Sequence, residues 1–248
     1  MVSAIRHLCT VLAAFSAAAM FAGTSAANAG VFSVTPVRIF MVPRDRAVAI
    51  TVNNEGDDEL VMQAEVFLWK QNPGGEDELT PTDDLILAPP IMKLAPRSRQ
   101  VVRLAMLRPR PTQEQLTYRL VVREVPEAKP VDKQLQLQIA LAFSLPVFVT
   151  PPSAKRQLNC TALRSATDLV RAECENSGSA YAQVREFVLT SDTGQALASR
   201  DSGGYLLPSV KRGFDLKRKE GSIAAGKARL AVTLDDGRTQ SFDVTIGE

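Results

Sequence analysis

Apolar and polar side chains alternate along much of this chain, and the alternation is most regular between Lys133 and Phe143. There, in KQLQLQIALAF, Leu135, Leu137, Ile139, Leu141 and Phe143 take every second position, with Gln134, Gln136, Gln138, Ala140 and Ala142 between them. A period of two places all five apolar side chains on one face of a β-strand. Such a strand would extend about 35 Å, roughly twice the usual length. A sandwich of immunoglobulin size needs about half of that row for its own core. Either the whole row is buried in its own domain, or part of it is left for another chain to cover.

Segments of the same period lie on either side. Val31–Phe40 reads as a strand containing Pro36, which cannot donate to a ladder and so marks an edge strand or one that switches sheets. Ala47–Asn53, Leu60–Trp69, Leu85–Ala88, Arg99–Met106 and Tyr118–Val125 follow, punctuated by turn sequences such as Asn54-Glu55-Gly56 and Asn72-Pro73-Gly74-Gly75. Short strands, frequent turns and no helical period predict an immunoglobulin-type sandwich. Thr150-Pro151-Pro152-Ser153 reads as a linker. Beyond it, strands are expected at Gln157–Leu163, Leu169–Glu175, Ala182–Thr190, Tyr205–Leu207, Gly213–Leu216, Ala228–Leu234 and Gln240–Ile246. Asp192-Thr193-Gly194 and Asp235-Asp236-Gly237 read as hairpin turns. The expected organisation is all-β, with one sandwich over residues 30–150 and a second over 154–248.

Residues 1–29 are expected to be a cleavable leader. Arg6 precedes an apolar, alanine-rich run from Leu8 to Ala22, and Ala27-Asn28-Ala29 has the small-x-small pattern of a signal-peptidase site. Removal takes away His7, the only histidine, which excludes Ser–His–Asp and Cys–His catalysis and histidine-ligated metals. The 29 Lys+Arg nearly balance the 27 Asp+Glu, so net charge gives no reason to expect nucleic acid as a partner. Cys160 and Cys174 remain, and an even pair in an exported chain reads as a disulfide rather than as two buried thiols.

Little points to enzymatic chemistry. Gly221–Lys227, GSIAAGK, matches the start of a phosphate-binding loop, but Ala228 stands where the metal-binding hydroxyl belongs and a strand is expected next instead of a helix. The pairs Asp57-Asp58, Asp83-Asp84 and Asp235-Asp236 lie in turn contexts and read as solvated carboxylates. Arg38, between Val37 and Ile39, is either an outward, solvated side chain or a fixed cation that grips a carboxylate through paired hydrogen bonds.

Ala88–Leu104 (APPIMKLAPRSRQVVRL), Tyr118–Pro126 (YRLVVREVP) and Leu137–Leu141 (LQIAL) resemble the periplasmic pilus-assembly chaperones of the chaperone–usher pathway. Trp69 with its following turn, Leu79–Pro90, Asn176-Ser177-Gly178 and Tyr205-Leu206-Leu207-Pro208 resemble the archaic branch, which serves spore-coat-U-like pilins. The resemblance covers essentially all of 31–246. It implies two immunoglobulin-like β-sandwich domains in an L-shaped arrangement, and a first-domain last strand lent to a pilin that lacks one of its own. Leu135, Leu137, Ile139 and Leu141 fall on the donor row, and Arg38 on the arginine that holds the pilin's C-terminal carboxylate. The second cation of that anchor, a lysine in the family, is replaced by Pro146, and Arg119 on the preceding strand is the candidate substitute. The resemblance further implies a periplasmic location, delivery to an outer-membrane usher, and no cofactor or nucleotide. It leaves room for self-association of the unloaded chain. The alternative reading is an exported immunoglobulin-like adhesion or binding module that uses its last strand itself.

Overall fold

The computed structural model describes residues 31–107, 112–126, 139–218 and 221–247, and every regular element within them is a β-strand. The first sandwich pairs two sheets. One has the order β1 (Phe32–Thr35), β3 (Val48–Asn54), β8 (Arg99–Met106) and β6 (Leu85–Ala88). The other runs β2 (Ile39–Met41), β10 (Ala142–Val149), β9 (Leu116–Glu124), β4 (Leu60–Gln71) and β5 (Asp77–Pro81), with β7 (Ile91–Leu94) beside the start of β4. Inward-facing positions alternate along each strand and meet in one core that includes Ile50, Met62, Leu104, Leu120 and Val147.

Val31–Phe40, read as one strand, is two. The chain pairs with β3 through Thr35, breaks at Pro36, and re-enters the opposite sheet as β2. A proline without a donor sits where the ladder changes sheets, which is one of the two alternatives its position allowed. β5 and β7 were not expected from sequence. All five residues of β5 are exposed, so no alternation marks it.

The second sandwich is a single ribbon of strands folded on itself. It comprises β11 (Leu158–Ala166), β12 (Leu169–Asn176), β13 (Ala182–Ser191), β14 (Ala196–Arg200), β15 (Gly204–Leu206), β16 (Lys211–Lys217), β17 (Gly226–Leu234) and β18 (Thr239–Ile246). Its sheet order is β11-β12-β16-β14-β13-β17-β18, with β15 pairing the start of β13 on the edge it shares with β14, and its core runs from Leu158 to Ile246. The GSIAAGK segment leads into β17, a strand, as its flanking residues suggested. Cys160 and Cys174 face each other across β11 and β12 and form a disulfide inside this core.

A buried asparagine ties off a strand in each domain. Asn54 Nδ2 donates to the carbonyls of Asp58, Leu94 and Ala95, and Asn176 Nδ2 to those of Ala180, Leu206 and Leu207. The domains meet through Trp69 and Phe148 of the first and Leu207 and Val210 of the second, with Tyr181 and Tyr205 packed against them. The Gln71 side chain clamps the joint: its Nε2 donates to the Tyr205 carbonyl at 3.1 Å and its Oε1 accepts from the Leu207 amide at 2.9 Å. Beside it, the turn after β4 ends at Gly75, with φ of 80°. A Cβ there would stand 2.5 Å from the Arg212 side chain, so only glycine fits the approach.

Candidate functional site: an open strand edge and a cationic cleft

Of the strand read at Lys133–Phe143, residues 133–138 lie outside the described residues. Regular pairing begins at Ala142 and runs to Val149, while Ile139–Leu141 is not in a regular strand. Leu135 and Leu137 lie outside the described residues. The period of two nevertheless continues into the strand. Leu145, Val147 and Val149 carry on the odd-numbered row and are 5%, 0% and 0% exposed, because the first sheet covers them. At Phe143, Leu141 and Ile139 the exposures are 39%, 37% and 43%. The row is the same; the cover stops. Phe32, at the start of β1, meets Phe143 in an edge-on ring pair at 5.0 Å.

Backbone pairing shows the same asymmetry. One edge of β10 is matched to β9 along its whole length, from Ala142↔Arg123 to Val149↔Leu116, and the Glu124 amide extends it by donating to the Leu141 carbonyl at 3.0 Å. The other edge meets β2 only at Val147, Phe148 and Val149. From Ala142 to Pro146 that edge has no strand against it among the described residues. Pro146, lacking a donor, marks the limit of the paired stretch.

The cleft between the domains adjoins that open edge. Arg38 immediately precedes β2 and is partly buried, not an outward solvated side chain. Its guanidinium donates to Asp235 Oδ2 at 2.7 Å, to Gln183 Oε1 at 2.7 Å and to the Tyr181 hydroxyl at 3.4 Å, all in the second domain. Asp235 also accepts the Tyr181 hydroxyl proton at 3.2 Å and pairs with Arg156 at 3.4 Å, while Arg156 pairs with Asp236 as well. The Asp235-Asp236 turn, read from sequence as solvated, is therefore an ion-pair hub, and Asp235 is largely buried. Burial, reinforced by the Asp235 charge, pushes the Tyr181 hydroxyl up to about 12.

Arg119 faces Pro146 directly across the β9–β10 ladder, so it reaches the same face of the sheet as residue 146 from the neighbouring strand. Its guanidinium lies 3.7 Å from the centre of the Trp69 ring and 3.1 Å from Asp77 Oδ2. Arg38 and Arg119 both approach the ring of Tyr205, at 6.0 and 5.6 Å from its centre. Arg38 and Arg119, far apart in sequence, are thus gathered about one tyrosine. Tyr181, Gln183, Asp235 and Tyr205 were missed in the sequence because each acts only after the second domain folds against the first. A cavity of about 700 Å³ opens beside Tyr181, lined among others by Phe40, Gln115, Lys155, Arg156 and Arg238. The disulfide lies in the second-domain core and touches none of these groups.

This geometry offers a strand edge unpaired among the described residues, an uncovered apolar row leading into that strand, and fixed cations at its end. It can accept an extended segment ending in a carboxylate. Comparison with known proteins agrees in kind. The family model of the N-terminal domain of pili and flagellar-assembly chaperones matches residues 31–155. No curated protein matches the chain significantly by sequence. Among solved structures, a chain of the CsuC–CsuE chaperone–tip adhesion subunit pre-assembly complex, from archaic chaperone–usher Csu pili of Acinetobacter baumannii, is similar with a TM-score of 0.62 and 18% identity. The match covers 88% of this chain and 100% of that one. The E. coli chaperone DraB is similar with a TM-score of 0.59 and 19% identity over 90% of this chain and 100% of its own. A chain of the Salmonella enterica SafA pilin–SafB chaperone complex follows at 0.58 and 14%, over 90% and 98%. At these identities the likeness is one of fold, and it extends over both domains.

Proposed function

Since the match over residues 31–155 makes this chain a member of the pili and flagellar-assembly chaperone family, we propose that it is a periplasmic chaperone of the chaperone–usher pathway that completes pilin subunits with its own strand. The observation that carries the reading is the loss of cover along the odd-numbered row, from buried Leu145 to exposed Ile139. The donor residues are Leu135, Leu137, Ile139 and Leu141, and the two-cation anchor for the subunit's C-terminal carboxylate is Arg38 with Arg119. The subunits are spore-coat-U-like pilins of an archaic system, and the acceptor of the loaded complex is an outer-membrane usher. Residues 1–29 direct export and are removed, and the working chain consists of the domains 30–150 and 154–248.

The energetics explain why both a row and an anchor are needed. Burying four leucine-sized side chains yields about 6–12 kcal/mol. Association and ordering oppose this by about 4–15 kcal/mol. The side chains alone do not secure a complex, so the remainder comes from pairing on the open edge of β10 and from the charge-assisted bonds in the cleft. Strand addition to an exposed edge is an established mode of recognition, with chaperone–pilin complementation a known instance. No nucleotide is required, because release follows when another subunit's strand takes over the groove.

Co-expression with a spore-coat-U-like pilin tests the proposal. A 1:1 complex is expected in the periplasmic fraction with the native chain and is lost with Ile139→Asp. A folded Ile139→Asp protein that still co-purifies the subunit would reject the donor assignment and favour an adhesion module that keeps its strand to itself.

A further inference from the structure

We infer that the Tyr205 hydroxyl, supplied by the second domain, is the third group that grips the subunit's terminal carboxylate, alongside Arg38 and Arg119. The inference rests on the proposed reading of the cleft as the seat of that carboxylate and adds a residue to it.

The placement of Tyr205 follows from the β13–β15 ladder. Tyr205 stands directly opposite Gln183, so the two side chains share a face, and Gln183 already accepts from Arg38. The Tyr205 backbone is held through its carbonyl by Gln71, and its ring stands edge-on to Trp69 at 5.2 Å. The aromatic ring therefore has a fixed seat within reach of both guanidinium groups, one 6.0 Å and one 5.6 Å from its centre. Both guanidinium charges act on its hydroxyl, favouring the ionised form.

Donor bookkeeping separates Tyr205 from Tyr181. A guanidinium has only donors, so a phenol beside it must accept and its own proton is left for another partner. Tyr181 has spent that proton on Asp235. The Tyr205 hydroxyl donates to no acceptor among the described residues. Burial raises its pKa above the ordinary tyrosine value, against the pull of the two arginines, so the proton is present throughout the neutral range. A carboxylate has about four acceptor sites, and two guanidinium groups and one phenol can fill three of them. The chemistry selected is a free C-terminal carboxylate with its last peptide in extended form. An internal peptide carbonyl carries no charge to satisfy both cations.

The test is the rate at which a preformed complex with a co-expressed spore-coat-U-like pilin exchanges its subunit into an excess of tagged wild-type chaperone. Tyr205→Phe keeps the ring, its contact with Trp69 and the thermal unfolding midpoint. Loss of one hydrogen bond to a charged group predicts exchange about tenfold to a hundredfold faster. A pilin extended by two glycines, which moves the carboxylate away, is held less tightly by the wild type and shows no further acceleration with Tyr205→Phe. Equal exchange by Tyr205→Phe and wild type with the native pilin would overturn the inference, and so would an equal acceleration with both pilins, which would make the hydroxyl a matter of domain positioning. If the extension makes no difference to the wild type, or no complex forms, the carboxylate reading itself fails.

Discussion

Arg38 and Asp235 are separated by 197 residues in sequence and by 2.7 Å in space. That single pair changes what a substitution at Arg38 should do. Removing the arginine leaves Asp235 with Arg156 and the Tyr181 hydroxyl, so no carboxylate is stranded alone. Arg38→Ala is expected to lower folding stability by only about 1–2 kcal/mol and to reduce subunit recovery at least tenfold. Calorimetry and co-purification measure the two effects separately; a variant that fails to fold would make Arg38 a structural residue alone. The same pair sets the pH response. Tyr181 titrates near 12 when folded and near 10 when unfolded, so its bond to Asp235 is fully present below about pH 10 and is lost as pH rises through 12. The sole histidine, His7, lies outside the described residues, and the cleft groups named above are arginine, aspartate, glutamine and tyrosine side chains. Subunit capture should therefore stay flat between about pH 6 and 9 and fall only as the subunit's own carboxylate is protonated, below about pH 4. A steep change near pH 7 would point to a different anchor.

At the level of elements, the odd-numbered row from Ile139 to Val149 is covered at one end and exposed at the other. The expected contrast is between neighbours on that row. Leu145→Asp puts a charge into a covered position and should unfold the first domain, whereas Ile139→Asp sits beyond the cover and should shift the unfolding midpoint little. Equal destabilisation by both would mean that the domain uses the whole row. The alternation was readable in the sequence because a period of two survives whatever covers it. Where the cover ends was not, since that depends on β1 and Phe32, more than 100 residues away. The reading stopped at Phe143, whereas regular pairing runs on through the SLPVFV segment to Val149. β5 escaped because a fully exposed edge strand has no apolar face to betray it.

Across the whole molecule, the second domain is more than a passenger. It supplies Tyr181, Gln183, Tyr205 and Asp235 to the cleft, and its backbone is gripped by Gln71 of the first domain. Its disulfide closes a loop with a sequence separation of 14, worth about 3 kcal/mol by the chain-entropy estimate. Reduction, or paired Cys160→Ser and Cys174→Ser substitution, should lower the melting of the second domain by that amount and weaken capture through the cleft. Both domains melting unchanged in reductant would contradict it. Trp69, the only tryptophan, sits fully buried at the joint, so its fluorescence reports whether the domains stay docked in each variant.

The most direct measurement of the central claim is amide hydrogen exchange along Ile139–Phe143 in the free chain and in its complex with a pilin subunit. Rapid exchange when free and strong protection when loaded is the predicted result, with Val147–Val149 protected in both states. Protection of Ile139–Phe143 that is already complete in the free chain, or that does not change on loading, would contradict a strand held open for another protein.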